Sequence, residues 1–125
     1  VLIKDNHLPL CKNKFSIAQA VNYARARTKK KIEVEIENFF QLRQVLLESK
    51  PDYILLDNMS PDQISEAIAL RKELLKKNYP LFEASGGITL KNVREYAATG
   101  VERISIGDLT HSFNSIHYSM EITKK

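Results

Sequence analysis

Tyr53-Ile54-Leu55-Leu56-Asp57-Asn58-Met59-Ser60-Pro61-Asp62-Gln63 is the stretch that decides the fold. A short apolar run bounded by polar Asp57-Asn58 reads as a buried strand, since it is too short for a helix. Helix-start chemistry follows at once. Ser60 is an N-cap, Pro61 takes the first helical position, Asp62 is an acid in the first turn, and Gln63 stands at capping-box spacing. A strand passing so quickly into a helix is half of a strand-helix-strand unit, so neighbouring strands are expected to run parallel.

Working outward, the same grammar recurs. Strands are predicted from Val1 to Lys4, Lys31 to Ile36, Tyr53 to Asp57, Leu81 to Ser85 and Arg103 to Gly107. Ser16 with Gln19, and Asn38 with Gln41, repeat the capping-box spacing, and Thr89 is the expected cap of the fourth helix. Apolar stripes at helical spacing follow: Ile17, Val21 and Ala24; Phe39, Leu42, Val45 and Leu46; Ile64, Ala67, Ile68, Leu74 and Leu75; Val93, Tyr96 and Ala97. Lys50-Pro51, Asn78-Tyr79-Pro80 and Gly100 are stops. A complete eight-unit barrel takes roughly 250 residues. This chain of 125 residues holds five βα units, so it reads as an open doubly wound sheet or as part of an α/β barrel.

Composition bounds the function. Hydrophobic residues make up 43% and charged residues 27% of the chain, as in an ordinary soluble globular domain. The apolar runs are far shorter than the ~20 residues of a membrane helix, and no signal-peptide pattern is present. Cys11 is the only cysteine, so neither a disulfide within the chain nor a multi-cysteine zinc site is expected. A reduced, cytoplasmic protein is the expectation. The net charge is +4, but the basic clusters Lys29-Lys30-Lys31 and Lys76-Lys77 fall where helices should end and complement their dipoles. No aromatic stacking platforms accompany them, so neither nucleic acid nor membrane is an expected partner.

The polar residues favour the barrel. Strand ends carry Lys4-Asp5-Asn6-His7, Glu33 and Glu35, Asp57-Asn58, Glu83-Ala84-Ser85-Gly86-Gly87, and Gly107 running into Asp108-Leu109-Thr110-His111-Ser112. A barrel gathers such ends at one mouth, whereas an open sheet spreads them along an edge. Glu33 and Glu35, two apart, share one face of their strand, while Val34 and Ile36 face the helices. Carboxylates facing a barrel interior need a counter-charge, cation or ligand. Lys4 could supply one partner and a divalent cation another. An internal Lys4, Glu35 and Asp57 salt-bridge network without catalytic role is the plainer alternative. Gly86-Gly87 before the fourth helix, Gly107 on the next unit, and His111 suggest a phosphate site, because glycine lets backbone approach a ligand and a helix start offers free N–H groups.

Ile3-Lys4-Asp5-Asn6-His7, Glu33-Val34-Glu35, Leu55-Leu56-Asp57-Asn58-Met59, Glu83-Ala84-Ser85-Gly86-Gly87-Ile88 and Ser105-Ile106-Gly107-Asp108-Leu109-Thr110-His111-Ser112 occur in this order and spacing across the chain. Together they resemble the C-terminal part of the quinolinate phosphoribosyltransferase family. The resemblance implies an open α/β barrel of the type II phosphoribosyltransferase kind, with residues 1–125 as part of it. An N-terminal α/β sandwich domain and the first barrel strands would lie outside this chain. It implies transfer of phosphoribose from phosphoribosyl pyrophosphate to quinolinate, with decarboxylation to nicotinate mononucleotide, in NAD biosynthesis. Mg2+ and a homodimer are implied too. So are site residues: Lys4 on the quinolinate carboxylates, Glu35 and Asp57 facing the ribose hydroxyls and magnesium-bound pyrophosphate, and Ser85, Gly87, Gly107 and His111 around the ribose phosphate. The fragment alone would be inactive. Two other readings stay open: a sugar-phosphate aldolase or isomerase using Lys4 as a Schiff base, and a non-catalytic partial barrel that binds phosphate.

Overall fold

The computed structural model describes residues 1–7, 16–77 and 80–107. Strands β1 (Leu2–Ile3), β2 (Glu33–Ile36), β3 (Tyr53–Asp57), β4 (Leu81–Ser85) and β5 (Arg103–Ile104) alternate with helices α1 (Ile17–Arg25), α2 (Phe39–Glu48), α3 (Pro61–Leu74) and α4 (Val93–Ala98). All strand pairs are parallel, and the sheet order is β1-β2-β3-β4-β5. A doubly wound sheet reverses its order at a switch point. This one never reverses, so the chain winds in one direction as a barrel does, and the doubly wound alternative falls. The sheet is open, with β1 and β5 as its edges.

Alternation sorts the side chains. Val34, Ile36, Ile54, Leu56, Phe82 and Ala84 have no exposed surface and pack with Val21, Leu42, Val45, Ile64 and Ala67 from the helices. The residues between them, Glu33, Glu35, Tyr53, Leu55, Asp57, Glu83 and Ser85, occupy the other face, in rows set by the register Glu35 to Leu55 to Glu83 to Arg103 and Asp57 to Ser85.

The caps match in part. Ser16 with Gln19 and Ser60 with Gln63 form complete capping boxes, Pro61 included. Asn38 caps α2, but the Gln41 side chain reaches the Glu37 N–H rather than closing a box on Asn38. Thr89 does not cap α4. Asn92 occupies that position, because Thr89 lies in a turn where its carbonyl accepts from the N–H groups of Asn92 and Val93. Ala97, placed on an apolar stripe by spacing, is exposed, since α4 is short and buries only Tyr96. Three strands are shorter than expected. Lys4 leaves β1 for a tight turn at Asp5–His7 closed by His7 N–H to the Lys4 carbonyl at 3.0 Å. The Ile32 N–H goes to Asp52 Oδ2 at 2.8 Å instead of into the ladder. Beyond Ala84 the chain turns at Gly86, so β5 finds its last backbone partner through Ser105 N–H to Ala84 O at 2.9 Å.

Two ion clusters clasp the amino-terminal edge of the sheet. Arg71 is 2% exposed, lies 4.2 Å over the Phe82 ring, and holds Glu102 bidentately at 2.7 and 3.1 Å. Burial alone would push the Glu102 carboxyl up, but Arg71 and the Phe82 N–H outweigh it and hold it below its ordinary value. Asp52 likewise gathers Arg25, the Ile32 N–H and Lys31. They overcome the opposing effect of burial and hold Asp52 far below the usual carboxylate range.

Candidate functional site

The opposite, carboxyl-terminal edge carries the unusual chemistry. Lys4 follows β1, and its Nζ lies 2.8 Å from Glu35 Oε2 on β2. Lysine is half exposed there while the glutamate side chain is 9% exposed, so a buried carboxylate is matched by a cation from the rim. Asp57 closes β3 and is half-buried; its Oδ2 accepts from Asn58 Nδ2 at 2.7 Å.

Asn58 is the pivot between β3 and the next wall. It adopts the left-handed conformation, φ 53°, which asparagine tolerates better than most side chains. Its N–H donates to the Ser85 carbonyl at 2.9 Å. Its side chain fills the space a Cβ would need at Gly86: that Cβ would lie 2.3 Å from Asn58 Oδ1 and 2.9 Å from Asn58 N. Gly86 is therefore glycine for two reasons, this close approach and its own φ of 87°.

Beyond that pivot lies a cleft of about 610 Å³ lined by Ser85, Gly86, Gly87 and Thr89 on one side and Ser105 and Gly107 on the other. Three of the residues read from the sequence, Ser85, Gly87 and Gly107, thus share one concavity. Asp57 touches its edge through the Asp57 to Ser85 register, and the Lys4–Glu35 pair stands on the first two strands of the same edge. His111 lies outside the described residues. One expectation is corrected. The glycine pair does not open directly onto a helix N-terminus, because a turn pinned by Asn92 intervenes before α4, with Asn92 Nδ2 on Gly87 O at 3.1 Å and Asn92 Oδ1 on Thr89 N at 2.8 Å.

Three contributors have roles that their own sequence positions do not announce. Nothing in the spacing of Asn58 announces a left-handed turn. Glu83 and Ser105 could have been found by period two, since they share a face with Ser85 and Arg103. Glu83 is 6% exposed, accepts a hydrogen bond from Ser105 Oγ through Oε1, and holds Arg103 Nε 3.0 Å from Oε2. Burial pushes the nearby Glu33 carboxyl up, and the Glu83 charge pushes it further.

Charged groups and a glycine-lined cleft at the carboxyl ends of singly wound parallel strands define a barrel-type domain with its polar chemistry gathered at one edge of the sheet. The model of the family described as quinolinate phosphoribosyl transferase, C-terminal domain, matches residues 1–121, and the chain belongs to that family. It is 43% identical over 128 aligned residues to a probable nicotinate-nucleotide pyrophosphorylase [carboxylating] of Methanocaldococcus jannaschii, covering 99% of this chain and 44% of that protein. It is 41% identical to a protein of the same description from Bacillus subtilis, covering 98% of this chain and 40% of that one. Among solved structures, the nicotinate-nucleotide pyrophosphorylase of Ehrlichia chaffeensis superposes with TM-score 0.74 at 38% identity, over 90% of this chain and 38% of that one. The Francisella tularensis enzyme gives 0.72 at 34%, over 87% of this chain and 36% of that one. The chain spans less than half the length of these relatives. Family membership sets aside the aldolase or isomerase alternative.

Proposed function

We propose that this chain is the carboxyl-terminal barrel portion of a carboxylating nicotinate-nucleotide pyrophosphorylase. Phosphoribose passes from phosphoribosyl pyrophosphate to the ring nitrogen of quinolinate, and loss of carbon dioxide leaves nicotinate mononucleotide and pyrophosphate. The observation that carries this reading is the convergence of the Lys4–Glu35 pair, Asp57 and the glycine-lined cleft on one edge of the sheet.

The residues divide the work by charge. Lys4 offers its ammonium to a substrate carboxylate, as a dianionic ring requires. The cleft of Ser85, Gly87 and Gly107 receives the ribose phosphate through backbone that can approach closely, with His111 as a further donor. Glu35 and Asp57 accept from the ribose hydroxyls, and their charge stabilises the cationic ribose that develops as the bond to pyrophosphate breaks. Neither acts as a nucleophile.

Among the described residues no group of three metal-ligating side chains gathers, so no cage for a resident ion is built from them. That donor set fits Mg2+ arriving on the polyphosphate, since magnesium asks for one or two carboxylates and keeps its remaining positions for water and phosphate oxygens. Glu35 and Asp57 would hold it. When bound it neutralises charge on the departing pyrophosphate. A homodimer and a cytoplasmic location complete the reading. Among the described residues no helix is long and apolar enough to cross a membrane.

The test is an assay of the full-length protein that carries this chain. Quinolinate-dependent release of pyrophosphate from phosphoribosyl pyrophosphate, abolished by chelation and by Asp57→Ala, is expected. A well-folded full-length protein with no such activity would overturn the reading.

A further inference from the structure

Glu83 is the residue whose surroundings exceed its need as a core side chain. It sits on β4 two residues before Ser85, is 6% exposed, and faces the side of the sheet away from the helices. A carboxylate so placed must be matched by donors. One lies just past β5, where Ser105 Oγ donates to Oε1, while Oε2 is matched by charge alone, in an ion pair with Arg103 Nε at 3.0 Å. Arg103 is braced in turn, its guanidinium 4.8 Å from the Tyr53 ring centroid.

The position of this contact matters. The β4–β5 ladder pairs only Glu83 with Arg103 and Ala84 with Ile104, and its last backbone bond is Ser105 N–H to Ala84 O. Past that rung the two chains part to become the two walls of the glycine-lined cleft. Ser105 is itself a wall residue and is exposed toward it. The Glu83–Ser105 bond is therefore a side-chain tie at the point where the backbone ties end.

We propose that Glu83 is a positioning residue for the cleft: by holding Ser105 it sets the separation of the β4 and β5 walls, and so determines affinity for the phosphate-bearing end of the ligand. This rests on the reading of the cleft given above. Glu83 does not touch the reacting atoms. Its loss should weaken binding in the ground state and transition state alike, raising KM with kcat nearly unchanged.

The experiment uses the full-length protein, with ribose 5-phosphate and nicotinate mononucleotide as calorimetric probes and steady-state kinetics in phosphoribosyl pyrophosphate. Glu83→Ala and Ser105→Ala should each weaken probe binding and raise the KM for phosphoribosyl pyrophosphate about tenfold, since a displaced wall loosens the contacts that position the phosphate. The double variant should be no worse than either single one, because both remove the same tie. Ser105→Thr keeps the hydroxyl and should restore affinity. If Glu83→Ala does not fold, Ser105→Ala carries the test, since it removes the tie and leaves the buried Glu83–Arg103 pair in place. Additive effects in the double variant, or Ser105→Ala binding both probes as tightly as the parent, would overturn the proposal. Failure of the unsubstituted protein to bind either probe would instead overturn the reading of the cleft.

Discussion

Lys4 Nζ and Glu35 Oε2 lie 2.8 Å apart, joining the rim after β1 to a nearly buried position on β2. The two ends of this pair do different work. Lys4→Ala removes a half-exposed cation but leaves the nearly buried Glu35 carboxylate unmatched, so stability should fall by about 1–3 kcal/mol. Quinolinate binding should suffer as well, with KM rising at least about tenfold, the loss of one charge-assisted hydrogen bond. Glu35→Gln keeps the shape but removes the charge facing the ribose, and kcat should fall by about 100-fold. Steady-state kinetics with each substrate varied, beside a thermal melt, separates the two. Equal effects on kcat from both variants would contradict the division of roles.

Arg71 and Glu102 test the other edge of the sheet. Arg71→Ala leaves Glu102 without its bidentate partner and opens space beneath Phe82. Unfolding in urea should report a loss of about 3–5 kcal/mol. In whatever fraction stays folded, KM values should be unchanged, because this cluster is at the end of the strands remote from the cleft.

Glu33 should make stability depend on pH. Burial and the Glu83 charge raise its pKa, so the folded chain holds its proton more tightly than the unfolded chain does. Stability therefore falls as pH rises from the ordinary glutamate value of 4.5 through the raised folded value, and the penalty persists above it. Glu33→Gln removes that penalty. The variant should be more stable than the parent at neutral pH, with the advantage vanishing in acid. Denaturation midpoints across pH check the crossing.

Asp52 gives the opposite sign. Its folded pKa is held far below its ordinary 3.8 against the push of burial, by Arg25, the Ile32 N–H and Lys31. Its contribution is present above that ordinary value and is lost as pH falls below it. Asp52→Asn should cost about 2 kcal/mol at neutral pH, as hydrogen bonds to a charged group do. The gap from the parent should narrow as acid titrates Asp52 in the parent.

Gly86 and Gly100 both have positive φ, but only Gly86 is crowded. Gly100→Ala should cost about 1 kcal/mol, the backbone penalty alone. Gly86→Ala adds the collision with Asn58 and should cost at least about twice as much. Equal costs would mean that Asn58 moves aside freely. Chemical denaturation measures both.

What could be read from the sequence followed from periodicity and local chemistry. Ser60-Pro61-Asp62-Gln63 announces a helix start by itself, and Glu33-Val34-Glu35-Ile36 announces which side of a strand is wet, because both signals are complete within a few residues. β3 and β4 match their sequence patterns to the residue. The edge strands are shorter than their patterns, since their length is set by how long a neighbour remains alongside, and β4 turns away at Gly86; β2 starts late because Asp52 takes the Ile32 N–H. Thr89 has cap chemistry but does not cap, because a turn stabilised by Asn92 delays α4. At the site, charged residues at strand ends were visible one by one. The Glu83–Ser105 tie was not, because it joins residues on different strands through register and side-chain reach.

The alternation along β2 has a consequence for how such a chain can change over evolutionary time. Val34 and Ile36 lie against the helices while Glu33 and Glu35 face away. Insertion or deletion of one codon within this strand would exchange the sets, driving two carboxylates into the apolar layer and presenting valine and isoleucine where ligand chemistry is needed. Substitution can adjust catalysis and packing separately, whereas a one-residue length change destroys both at once. Insertions and deletions that preserve the protein should therefore fall in the loops between strands and helices.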